Sequence, residues 1–167
     1  MPLDAWNRDR LVALERQIQM LQRQQHGKED AQITAEDAEK ERIQQQIDKL
    51  ILQIRQKQEE YWQILAQEAQ ELPISETEAE PIVAEIVTEV GKLEQRATYP
   101  EEVLQLLREI QVKLNEPGPT AAAKLKGTIS AIPPFFNLSY EGELDTENFL
   151  RTHFPTFTRL IRGAVKK

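Results

Sequence analysis

The sequence predicts a mostly α-helical protein: an elongated antiparallel helical bundle built on a coiled-coil hairpin, followed by a small C-terminal β-hairpin plus helix. Three observations carry this. Apolar residues recur at alternating spacings of three and four over the first 115 residues. The chain is 40% hydrophobic and 29% charged, which suits helices with one buried face and is thin for a parallel sheet covered on both sides. After Pro117-Gly118-Pro119 the apolar period falls to two.

The first helix is expected over residues 3–26, where Leu11, Leu14, Ile18 and Leu21 form a narrow seam. His26-Gly27 should end it, leaving a polar loop through Gln32. Thr34 then reads as an N-cap with Asp37 at N3 and Ile33 and Ala38 at the staple positions. This opens a helix over 35–72 that Pro73 stops, with Ile43, Ile47, Leu50, Ile54, Tyr61 and Ile64 on its seam, Lys57 as a polar interruption, and Ile51 and Leu65 widening the stripe. The two helices would be about 36 Å and about 57 Å long. Their inequality requires other elements to cover Tyr61, Trp62 and Leu65.

Two shorter amphipathic helices, over 78–96 and 100–115, supply that cover. Ile82, Val83, Ile86, Val87, Val90 and Leu93 line the first; Val103, Leu104, Leu107, Ile110 and Leu114 line the second. Thr77 with Glu80 forms a capping box, or Pro81 marks N1; Pro100-Glu101-Glu102 puts a proline and two carboxylates at the positive end of the next helix. Residues 117–123 read as a linker. Beyond it, Leu125, Gly127, Ile129 and Ala131 alternate with polar residues, as do Leu138, Tyr140, Gly142 and Leu144, which predicts a hairpin turning at Pro133-Pro134. Its register would pair Lys126 with Glu141, Lys124 with Glu143 and Gly127 with Tyr140. Asp145 or Thr146 should cap a last amphipathic segment that Pro155 kinks or splits.

For chemistry the sequence offers little. Without cysteine there is no disulfide, thiolate metal site or thiol nucleophile. The glycines stand at 27, 91, 118, 127, 142 and 163, too dispersed for a phosphate-cradling loop. His26 and His153 lack the Glu-x-x-His spacing that sets two ligands on one helical face. Paired carboxylates such as Glu59-Glu60 and Glu101-Glu102 read as solvated faces. No enzyme activity, cofactor, metal or small-molecule substrate is expected.

The net charge of −7 is unevenly spread, with 14 Lys and Arg against 24 Asp and Glu in residues 1–120 and 7 against 4 thereafter. An acidic body argues against nucleic acid. The longest apolar run, Ala131–Phe136, is far short of a membrane span, and residues 1–8 contain no apolar signal core, so a cytoplasmic protein is expected.

Six of the 10 aromatic residues fall within 23 positions: Phe135, Phe136, Tyr140, Phe149, Phe154 and Phe157. With Arg159 and Arg162 they are the interaction candidates. They serve either as a small core beneath the hairpin or as an exposed surface for a partner or a membrane, assisted by Arg151, Lys166 and Lys167.

The segment Ala123-Lys124-Leu125-Lys126-Gly127-Thr128-Ile129-Ser130-Ala131-Ile132-Pro133-Pro134, continued by Ser139-Tyr140-Glu141-Gly142-Glu143-Leu144-Asp145-Thr146-Glu147-Asn148, resembles a segment of bacterial, especially cyanobacterial, signalling proteins. In those, a helical region and a short strand pair precede a NACHT or other STAND-type ATPase, or a caspase-like domain. The resemblance implies an N-terminal effector or adaptor module whose ATPase is absent from these residues, either following Lys167 or missing in a stand-alone relative that ends there, and it carries over no catalytic residue. The expected function is a non-enzymatic helical interaction or oligomerisation module in a signalling or defence assembly, meeting a protein partner or itself through its helices. The alternative is a membrane-active effector using the Ile132–Phe136 tip and the basic aromatic tail.

Overall fold

A computed structural model of the chain describes residues 3–96, 99–136 and 145–166, and all regular structure within them is helical. In order these are α1 (Ala5–Thr34), α2 (Asp37–Gln67), a 3-10 turn (Ala69–Glu71), α3 (Glu76–Arg96), α4 (Glu101–Asn115), α5 (Ala121–Ser130), α6 (Thr146–His153) and α7 (Pro155–Lys166). Residues 133–136 add one helical turn.

The Asp4 carboxylate starts α1 by accepting from the backbone N–H groups of Trp6 and Asn7. The helix does not stop at His26-Gly27. Among the described glycines only Gly118 has a positive φ, 107°; Gly27 stays helical and the expected loop through Gln32 is helix instead. Good helix formers on both sides carry the chain through it, and Gln25 bonds to Glu29 one turn on. The turn shrinks to Ala35-Glu36. Glu36 occupies the N-cap of α2 without a side-chain bond, and Ile33 is exposed, so neither the Thr34 cap nor the staple forms. At its other end α2 stops at Gln67 rather than Leu72, tightening into the 3-10 turn before Pro73. The hairpin helices are therefore nearly equal, about 45 Å each. Because Gly27 is exposed, with nothing within 4 Å of an added Cβ, Gly27→Ala should raise stability by about 0.5–1 kcal/mol in urea unfolding.

The capping box of α3 is built by Ser75, not Thr77: its hydroxyl accepts from Glu78 N–H and donates to the Glu78 carboxylate. Pro81 lies inside the helix. The larger correction concerns residues 121–130. The linker is shorter than expected, and the first predicted strand is α5. The Thr120 hydroxyl caps it by accepting from Ala123 N–H, and Glu76 of α3 accepts from Ala121 and Ala122 at 2.6 and 3.1 Å. Leu125, Thr128, Ile129 and Ile132 are buried on one helical stripe, and of these only Leu125 and Ile129 also fit alternation, so the buried pattern and an Ala run with a good cap agree on helix. The predicted hairpin is thus not formed over 124–130, and Lys126 donates to the Gln70 carbonyl. Its second strand, with Tyr140, Glu141 and Glu143, lies outside the described residues.

Asp145 is the N-cap of α6, and the break falls at Phe154, after which Pro155 opens α7. One continuous core joins all these elements. α5 packs against α2, the 3-10 turn, α3 and α4, while α7 lies on α1 and α6. Trp62 and Phe157 stack at 6.4 Å in the layer between the hairpin and α7.

Candidate functional site

Where α6 and α7 cross the hairpin, the lining turns polar. Glu15, Gln19 and Gln22 share one face of α1; Gln58 and Tyr61, three residues apart, face them from α2; Glu147 and Arg151, four apart, come from α6, and Arg162 from α7. They enclose a chamber of about 80 Å³. Gln22, Gln58, Glu147 and Arg151 also line a wider cleft of about 300 Å³ that continues towards His26 and Arg55.

Glu147 anchors the chamber. It is only 3% exposed, and both of its oxygens are used: the Trp62 indole N–H donates to Oε1 at 2.8 Å and Arg162 donates to Oε2 at 3.0 Å. Its place in the first turn of α6 adds the positive end of the helix dipole. Tyr61, 3% exposed, has no hydrogen-bond partner for its hydroxyl. Burial, and next the Glu15 charge, push its ionisation well above the usual tyrosine range, so it remains an O–H donor. An unfolded tyrosine ionises near pH 10, whereas the folded one keeps its proton there. The folded state thus binds more protons above about pH 10, and stability should fall as pH rises past that point. Thermal unfolding against pH should show a shallower alkaline decline in Tyr61→Phe than in the unmodified chain.

A second polar cluster ties α3 to α6. His153 Nδ1 lies 2.9 Å from Glu89, and its Nε2 lies 3.2 Å from the Tyr99 hydroxyl. No three His, Asp or Glu side chains among the described residues converge as metal ligands would, and no helix there is long and apolar enough to cross a membrane. Comparisons with protein-family models, curated proteins and solved structures give no match.

The aromatic candidates go inward. Phe135, Phe136, Phe149, Phe154 and Phe157 are all buried, so they are core and not an exposed contact surface. Phe149 is their hub, stacked on Phe135 at 6.1 Å and edge-on to Phe154 at 6.0 Å. Tyr140 lies outside the described residues. Arg159 is exposed beside Glu78 and Glu85 along a shallow groove between α3 and α7, and Arg162 turns to the chamber. The sequence reading passed over Gln58, Tyr61 and Glu147 as site residues. Two of the three carry a signal. Gln58 is a polar residue four after Ile54 on a buried stripe, and Glu147 precedes Leu150 and Phe154 at spacings of three and four.

Proposed function

We propose that the chain is a helical interaction module without catalytic chemistry, which associates with a second copy through the α1–α2 arm. One observation carries this reading: between Glu15 and Gln46 no residue is buried, although Ile18 and Leu21 of α1 and Ile43 of α2 continue the apolar seam there. Two helices cover a seam from one side only, and a second pair completes a four-helix unit. The bonds Arg10–Glu60 and Gln32–Gln44 set a register in which Met20 and Leu52 stand at the same height, 50% and 45% exposed. Ile33, near the tip, is 76% exposed.

Light scattering behind size exclusion should find the full chain as a dimer or larger species at micromolar concentration. The double variant Met20→Glu/Leu52→Glu should be a monomer of unchanged helix content. A chain that is monomeric at every concentration sinks self-association. A bacterial signalling or defence setting rests on the resemblance of residues 123–148 alone. The membrane-active alternative loses its surface, since Ile132, Phe135 and Phe136 lie in the core.

A further inference from the structure

We propose that the chamber between α1, α2, α6 and α7 binds a small monocarboxylate, its charged head held by the Arg151 guanidinium and the Tyr61 hydroxyl. The sequence reading expects no small-molecule ligand; the chamber argues otherwise through three features. First, Tyr61 is more than nine-tenths buried with an unpartnered hydroxyl, and the charges that act on it, Glu15, Arg162 and Glu147, all line this space. A buried hydroxyl without a partner is a cost that an acceptor in the chamber removes. Second, the charges of the wall are compensated except one. Glu147 has Trp62 and Arg162, and Glu15 has Lys166 at 3.7 Å; among the described residues lining the chamber, Arg151 is the charged side chain without an ion pair. A single free guanidinium matches a singly charged carboxylate, which it can hold through two parallel N–H bonds. A phosphate would bring a second charge towards Glu15 and Glu147 and is the poorer fit. Third, about 80 Å³ is the size of a carboxylate with a short carbon stem, and the adjoining cleft of about 300 Å³ leaves room for a longer tail past Gln22 and Gln58.

The Trp62 indole N–H is a natural reporter, because it donates to Glu147 at the chamber wall. The chain has two tryptophans, so Trp6→Phe identifies the Trp62 signal in an amide and indole NMR spectrum. Full-length ¹⁵N-labelled chain is titrated with sodium acetate, with sodium chloride at equal ionic strength, and with acetamide as the uncharged analogue. Acetate should shift the Trp62 signal saturably in the millimolar range, while chloride and acetamide should not. Affinity should fall about tenfold or more in Arg151→Gln and several-fold in Tyr61→Phe. Arg151 is exposed and Tyr61→Phe removes one unpartnered oxygen, so both variants fold, which a thermal midpoint at neutral pH no lower than that of the unmodified chain checks. Absence of a saturable acetate shift overturns the proposal. So does an equal response to acetamide, which would make the chamber a general polar void, or an undiminished response in Arg151→Gln.

Discussion

Replacing Trp62 with alanine is expected to remove about 3–5 kcal/mol of stability, the largest loss available from a single side chain here. The indole is buried where the hairpin, α6 and α7 meet: it stacks on Phe157, meets Tyr61 edge-on at 6.2 Å, and donates to Glu147. Alanine opens a cavity and leaves Oε1 of a buried carboxylate without its donor. Trp62→Phe separates the two effects, because it keeps most of the ring volume and loses only the N–H. That variant should lose about 1–3 kcal/mol, the cost of an unmet buried acceptor. Urea unfolding followed by circular dichroism reads both. If alanine and phenylalanine cost the same, the hydrogen bond and not the packing holds the layer; if phenylalanine costs nothing, Glu147 does not depend on Trp62.

Ile129→Ala should cost about 2–5 kcal/mol. Ile129 is fully buried on α5, the short helix that touches α2, the 3-10 turn, α3 and α4 at once, so a cavity there is shared by several elements that cannot all collapse into it. Ser130, exposed at the end of the same helix, provides the control, and Ser130→Ala should stay within about 0.5 kcal/mol. The same helix removes the strand on which the pairing of Lys126 was expected, since Lys126 reaches the Gln70 carbonyl from a helical turn.

The helical character of α1 to α4 was legible because a seam at spacings of three and four is long enough there to exclude any other period. Their ends were less so, for identifiable reasons. Gly27 stops a helix only when its φ turns positive, and nothing local says whether tertiary pairing will prevent that. At 124–131 the residues Leu125 and Ile129 satisfy both periods, and beside the local Thr120 cap a second contact at the helix start comes from Glu76, 45 residues away from Ala121. The aromatic clustering was visible, and its role as core followed once helices covered it. The chamber was not, because its members come from four separated helices and each alone looks like an ordinary surface or seam residue. Only Gln58 and Glu147, polar at apolar positions, carried a trace of it.

The placement of Trp62 and α5 also fixes an order of events during synthesis. The arm, α3 and α4 are complete by Asn115, yet the faces of Leu11, Leu14, Trp62 and Leu107 are closed only by residues 121–136 and 145–166. A growing chain therefore carries a finished hairpin with an open seam while residues 116–166 are being made, several seconds at ordinary elongation speeds of about 5–20 residues per second. Neighbouring nascent chains on one messenger would present the same arm to each other during that interval, so the pairing proposed above would begin on the ribosome, before either core is sealed.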